Sequence, residues 1–114
     1  YRIINYVITC GNMTSAMASL MLEKDGERQQ GVCAGDGPID AAFLAIEQII
    51  GHHYELADYQ IQTVTEGREA MGSALVKLRS NGKLYSGNGI STDVIGASIR
   101  AYISALNKIV YEGN

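Results

Sequence analysis

The 114-residue chain is long enough for one domain with a hydrophobic core and too short to hold a catalytic barrel as well. Hydrophobic residues make up 46% of the sequence and charged residues 18%, a globular composition that excludes a disordered, highly charged segment. The formal net charge of −3 excludes a basic surface for nucleic acid, and no apolar run approaches the ~20 residues that a membrane-spanning helix needs.

The first half of the sequence predicts three strands and a helix. The segment 4–9 is followed by an alternating stretch from Ala16 to Leu22 and by Asp25-Gly26, a strong hairpin signal. A further alternating stretch leads into the Gly-Asp-Gly-Pro segment 35–38, where the proline suits a first helical turn. Apolar residues at helical spacing complete the pattern: Ile39, Phe43, Ile46 and Ile50.

The second half repeats this order. Segment 57–62 repeats 4–9, an alternating stretch follows, and Asn81-Gly82 supplies the second hairpin signal. The Gly-x-Gly segment 87–89 predicts the loop that opens a second helix, with Ser91 or Thr92 as its cap and Asp93 near its positive end. The apolar stripe of that helix is Ile95, Ile99, Tyr102, Leu106 and Ile109.

Each half therefore predicts a βββα unit, the first in residues 1–52 and the second in residues 53–114. Three strands with one helix bury only one face of their sheet well. We therefore expect the two pseudo-repeated units to pack as one α+β domain spanning residues 1–114. The short joint at 51–55 has no Pro- or Ser-rich linker and agrees with two lobes of one domain.

The residues offer little catalytic or metal-binding chemistry. His52 and His53 are adjacent at the joint, and neither Cys10 nor Cys33 lies in a nucleophile motif. A zinc site needs about four ligands at motif spacing, and the sequence has no such set. We expect no catalytic residue, metal or cofactor here, two thiols that behave as buried apolar residues, and a reducing, cytoplasmic setting without an export signal.

The two Gly-x-Gly segments, 35–37 and 87–89, are the most informative feature. Their glycines allow close approach of the backbone and predict free N–H groups at a helix N-terminus, which suits an anion. A carboxylate for those N–H groups, an ammonium group for Asp36 and an apolar side chain for Ile39 together describe a zwitterionic aliphatic amino acid. Two plain connecting turns explain the same glycines equally well, so both interpretations stay open.

Three segments resemble the C-terminal allosteric domain of the 2-isopropylmalate synthase and citramalate synthase family: 35–46 (GDGPIDAAFLAI), 56–78 (LADYQIQTVTEGREAMGSALVKL) and 85–107 (YSGNGISTDVIGASIRAYISALN). The resemblance spans essentially the whole chain and includes the Gly-Asp-Gly-Pro loop, the Asp-Tyr pair and the final Ala-x-x-x-Ala-x-Asn helix. It implies two βββα units, a homodimer, and feedback inhibition by leucine, with isoleucine as second choice, bound at the dimer interface. It also implies that the catalytic α/β barrel, with its divalent metal and acetyl-CoA chemistry, belongs to the same polypeptide outside this chain, which alone is not an enzyme.

The resemblance further implies which residues bind the effector. One set would surround the polar end of the ligand and part of its side chain: Gly35, Asp36, Gly37, Pro38 and Ile39. A second set would line the apolar pocket: Leu56, Tyr59, Thr63, Ala70, Gly72 and Val94.

Two alternatives stay open from the sequence. One is a free-standing amino-acid-binding module that regulates another protein in trans, and the other is a structural dimerisation module with an empty pocket. Leucine and isoleucine are not distinguished by residue names, because a branched-chain pocket separates such isomers by only about 1–3 kcal/mol. The 2-oxo acid used by the catalytic barrel is not readable either.

Overall fold

The computed structural model describes residues 1–10, 16–66 and 69–113, with the side chains of residues 10, 64–66, 69, 70 and 113 outside the description. It divides into two compact units, Tyr1–His53 and Tyr54–Asn114. Each unit contains three antiparallel strands followed by one helix, which confirms the predicted α+β class of two βββα units. The packing of both units into a single domain stays a prediction.

In the first unit, the strands β1 (Arg2–Cys10), β2 (Ala16–Lys24) and β3 (Glu27–Gly35) form a sheet in the order β1-β2-β3. Helix α1 (Pro38–Ile50) lies mainly against β2 and β3.

In the second unit, β4 (Glu55–Glu66), β5 (Glu69–Ser80) and β6 (Lys83–Ser91) form a sheet in the order β4-β5-β6. Helix α2 (Val94–Gly113) lies against β5 and β6. In both units the helix therefore covers the second and third strands, and the first strand lies at the edge.

Both predicted hairpin turns are confirmed. Asp25 and Gly26 have φ angles of 54° and 82°, and Asn81 and Gly82 have φ angles of 52° and 79°. Positive φ at both central residues gives the turn that matches the twist of an antiparallel pair, and Asp, Asn and Gly tolerate it best. The local sequence therefore determines the register of both hairpins.

The predicted repeat is confirmed in the pairing of the strands. Tyr6 pairs with Leu20 as Tyr59 pairs with Val76. The register shifts between Ile3 and Asn5 in β1, and between Leu56 and Asp58 in β4, so even the irregularity recurs. Correspondence between the units can therefore be followed residue by residue.

The core of each unit lies between its helix and the buried face of its sheet. Alternate residues of β2 and β5 are buried, as the alternation predicted: Ala16, Ala18, Leu20, Leu22, Ala74, Val76 and Leu78. The helical stripes are buried at Phe43, Ile46, Ile99, Tyr102, Leu106 and Ile109. The stripe residues at the helix ends, Ile39, Ile50 and Ile95, are half-buried.

The prediction of a loop at Gly87–Gly89 was wrong, because these residues lie inside strand β6. A Cβ atom on Gly87 would lie 2.3 Å from both the Ala101 carbonyl oxygen and the Ala105 nitrogen. A Cβ atom on Gly89 would lie 2.2 Å from the Ala97 carbonyl oxygen. These glycines are therefore required by the close approach of the α2 backbone to the sheet, and they do not form a turn.

The predicted cap of α2 was also wrong. Asp93 is the capping residue, and its Oδ1 accepts a hydrogen bond of 2.6 Å from the Gly96 N–H. Ser91 ends β6 and Thr92 lies in the bend before the helix. A carboxylate at the cap also suits the partial positive charge of the helix N-terminus.

Neither helix, over the part of the chain that the structure describes, is long and apolar enough to cross a membrane.

Candidate effector site

The segment Gly35–Pro38 joins β3 to α1, as predicted. Gly35 pairs with Ala16 at the end of the sheet, and Asp36 and Gly37 form the bend. Gly37 has extended angles (φ −158°, ψ 175°), and its carbonyl oxygen accepts the first helical hydrogen bond from the Ala41 N–H at 2.9 Å. Pro38 occupies the first turn of α1. The loop therefore opens directly onto a helix N-terminus, where the first N–H groups have no acceptor within the helix.

One N–H group of this loop is already used. The Asp36 N–H donates to the Asp40 Oδ2 at 3.0 Å, so the expectation that the loop offers its N–H groups freely is wrong at this residue. A Cβ atom on Gly35 would lie 2.6 Å from the Ala41 nitrogen and 2.7 Å from the Asp40 Oδ2. Any side chain at this position would therefore clash with the start of α1, which is why the residue is glycine. The Asp36 and Asp40 side chains are both exposed. Two carboxylates near the loop favour a cationic group over an anionic one.

In the second unit, the structure brings Thr63, Gly72 and Val94 together. Thr63 pairs directly with Gly72 across β4 and β5. A Cβ atom on Gly72 would lie 3.3 Å from the Val94 Cα and 3.4 Å from its Cγ2, at the first residue of α2. Ala70 pairs with Thr65 in the same hairpin, but its side chain lies outside the described residues.

Leu56 and Tyr59 share the helix-facing side of β4 with Thr63, because their pairing partners, Leu78 and Val76, are buried under α2. Helix α2 does not cover this edge strand, and Leu56 remains 42% exposed. Ile61 lies on the same side and is 43% exposed, although the sequence reasoning did not include it. The strand alternation Tyr59, Ile61, Thr63 is the signal that would have found it.

Ser98 is a second residue that the sequence reasoning missed. Its side chain is completely buried, its Oγ donates to the Val94 carbonyl oxygen at 2.8 Å, and its Oγ lies 2.6 Å from the Tyr59 hydroxyl oxygen. Burial raises the pKa of the Tyr59 phenol above its ordinary value, so Tyr59 is protonated at neutral pH. A hydrogen-bonded path therefore links β4 to the first turn of α2.

The residues considered for catalysis or metal binding have ordinary surroundings. His53 hydrogen-bonds the Glu47 carboxylate through Nδ1, and both histidines are exposed. Cys33 is a half-buried free thiol, whereas the Cys10 side chain lies outside the description. Among the described residues, no three His, Cys, Asp or Glu side chains lie close enough to hold a metal ion. The absence of a cofactor from this chain stays a prediction.

The implied effector residues thus belong to both units. The residues from Gly35 to Ile39 lie in the first unit, and the remaining six lie in the second. Within the second unit, Tyr59, Thr63, Gly72 and Val94 are linked by pairing, contact or hydrogen bonds.

Comparison with known proteins decides what this pair of βββα units represents. Residues 1–110 match the model of the LeuA allosteric (dimerisation) domain. The chain belongs to this family. The 2-isopropylmalate synthase of Ruminiclostridium cellulolyticum is 40% identical over 112 residues, which cover 98% of this chain and 22% of that protein.

Other 2-isopropylmalate synthases give similar matches. The protein of Heliobacterium modesticaldum is 42% identical over 106 residues (93% of this chain, 21% of that protein). The protein of Chromobacterium violaceum is 38% identical over 112 residues (98% and 22%). The chain therefore spans about a fifth of the length of these curated relatives and matches their LeuA allosteric domain.

Proposed function

We propose that this chain is the feedback-sensing domain of a 2-isopropylmalate synthase-type acyltransferase and binds a branched-chain amino acid, leucine as first choice and isoleucine as second. The observation that carries the proposal is the match of residues 1–110 to an allosteric domain family. The relatives are about five times as long, which supports a catalytic barrel in the same polypeptide. Condensation of acetyl-CoA with a 2-oxo acid at a divalent metal would occur in that barrel, and the cytoplasmic setting belongs to the same proposal.

The described residues support an amino acid as the effector. Thr63, Gly72 and Val94 offer a small, largely apolar surface for an aliphatic side chain. The loop before α1 offers the exposed Asp36 carboxylate to an ammonium group and a helix N-terminus to a carboxylate. We propose that both sets of residues contact the same class of ligand.

We further propose a homodimer with the effector at its interface. The family is described as a dimerisation domain. On the face of the first sheet that points away from α1, Val7 is 61% exposed, Met17 52% and Val32 44%. Val7 and Val32 lie on either side of Ser19 in the pairing register, and Met17 precedes Ser19 by two residues on β2, so the three exposed apolar side chains share one face of the sheet. An effector regulates such a dimer only by binding one of its states better than the other.

Calorimetry of the chain with four amino acids tests the proposal. We expect leucine to bind, isoleucine and valine to bind less tightly, and lysine to show no heat of binding, because the ammonium group of its side chain has no place in an apolar pocket. Light scattering of the same samples should give the mass of two chains. Absence of binding by all three branched-chain amino acids would contradict the sensing function, and a monomer at high concentration would contradict the dimer.

The variant Gly72→Ala tests the apolar part of the site. The added methyl group points at Val94, 3.3–3.4 Å from three of its atoms, so Val94 has to shift by a few tenths of an ångström and the space beside it narrows. Ala16 occupies the corresponding position of the first unit and is buried there, so the fold tolerates alanine. We expect leucine affinity to fall about tenfold, while the urea midpoint of unfolding changes little. Unchanged affinity would place the ligand away from Gly72.

A further inference from the structure

The donor and acceptor roles of the Ser98 hydroxyl group follow from its two partners. A serine hydroxyl has one proton, and the Val94 carbonyl oxygen can only accept. Since Ser98 gives its proton to Val94, the Tyr59 hydroxyl must donate to the Ser98 Oγ. The path therefore runs from the phenol on β4, through Ser98, to the first residue of α2.

Packing of the helix on its sheet does not explain this serine. The first helical hydrogen bond aligns the two helices. In α1 it runs from the Ala41 N–H to the Gly37 carbonyl oxygen, and in α2 from the Ala97 N–H to the Asp93 carbonyl oxygen. The next residue of each helix is Ala42 in α1 and Ser98 in α2, so these two residues correspond. Ala42 and Ser98 are both completely buried. A helix of this repeat thus packs on its sheet without a hydroxyl at this position.

The tyrosine, in contrast, is present in both units. Tyr6 pairs with Leu20 as Tyr59 pairs with Val76, so the two tyrosines occupy corresponding edge-strand positions. Ala42 has no hydroxyl to offer Tyr6, whereas Ser98 bonds Tyr59 at 2.6 Å. The serine link is therefore specific to the unit that contains Tyr59, Gly72 and Val94.

We infer that Ser98 is a positioning residue for the effector site: it fixes the Tyr59 ring relative to Val94. This inference rests on the proposed function and names a residue that does not itself contact the ligand. Without the link, the Tyr59 ring keeps its place on β4 but loses its attachment to α2. The free protein would then have to order the ring when the effector binds, which weakens binding.

A double-mutant cycle tests this role. Leucine affinity is measured by calorimetry in the parent chain, Ser98→Ala, Tyr59→Phe and the double variant, with urea unfolding of all four proteins. We expect Ser98→Ala to weaken leucine binding about three- to tenfold, the contribution of one neutral hydrogen bond. In the Tyr59→Phe background the same change should weaken binding less than about twofold.

Ser104→Ala is the matched control, because it removes a serine hydroxyl from the same helix at a half-buried position away from Tyr59. Its leucine affinity should equal that of the parent. Parent-like affinity in Ser98→Ala would overturn the positioning role. So would independent effects, in which the fold-loss of affinity in the double variant equals the product of the fold-losses in the two single variants. If the parent itself bound no branched-chain amino acid, the proposed function would fail first and would remove the inference with it.

Discussion

Replacing Gly87 by alanine should lower the free energy of unfolding of the second unit by about 3 kcal/mol. The new Cβ atom would lie 2.3 Å from the Ala101 carbonyl oxygen and from the Ala105 nitrogen. Both are backbone atoms of α2, so no side-chain rotation relieves the clash, and the helix has to move. Alanine suits a strand better than glycine by less than about 1 kcal/mol, which is too little to offset this displacement.

The repeat supports the same expectation. Gly31 pairs with Leu20 as Gly87 pairs with Val76, and a Cβ atom on Gly31 would lie 2.5 Å from the Ala45 carbonyl oxygen. Glycine thus occupies this one position in both units, where the helix backbone approaches the third strand. Urea unfolding followed by circular dichroism measures the effect.

Asn88→Ala is the control, because this side chain is exposed and lies next to Gly87 on the opposite face of β6. It should change stability by less than about 0.5 kcal/mol. Equal urea midpoints for Gly87→Ala and the parent would show that α2 does not approach the sheet this closely.

The interpretation of Gly87–Gly89 shows where local sequence is insufficient. Gly-x-Gly is a turn signal by composition, but a spacing of two is also the period of a strand and places both glycines on one face. The distinction depends on the partner helix, in which Ala97, Ala101 and Ala105 recur every fourth residue and expose its backbone. Only matching the glycine spacing of β6 to the alanine spacing of α2 would have revealed the close contact.

Features that depend on local chemistry were predictable. Asp25-Gly26 and Asn81-Gly82 determine their turns by their own backbone preferences, and alternation determines which face of β2 and β5 is buried. The cap at Asp93 is also local, since its Oδ1 accepts from the Gly96 N–H three residues further on, but Ser91 and Thr92 are competing cap residues in the sequence. The role of Ser98 depends on tertiary placement and was not predictable. Ser98 interrupts an otherwise apolar buried face of α2, which is the only sequence signal it carries.

Leucinamide and N-acetyl-leucine should each bind about ten- to a hundredfold more weakly than leucine, because a hydrogen bond to a charged group contributes roughly 1.5–3 kcal/mol. Leucinamide lacks the carboxylate that the N-terminus of α1 would hold. N-acetyl-leucine lacks the ammonium group that Asp36 would hold. Since the Asp40 carboxylate lies beside the same loop and bonds the Asp36 N–H, we expect the loss of the ammonium group to cost more.

Asp36 itself provides the internal comparison. Asp36→Ala should weaken leucine binding about tenfold or more, whereas Asp36→Asn should do less harm because its amide oxygen still accepts a hydrogen bond. Asp25→Asn controls for the change in net charge. The turn accepts this substitution, since Asn81 occupies the corresponding position of the second unit, and it lies at the end of the β2–β3 hairpin opposite the Asp36 loop. Equal binding of leucine and leucinamide in calorimetry would remove the helix terminus from the site. Parent-like affinity of Asp36→Ala would assign the ammonium group to another residue, and Asp40, exposed one helical turn further along, would be the next to replace.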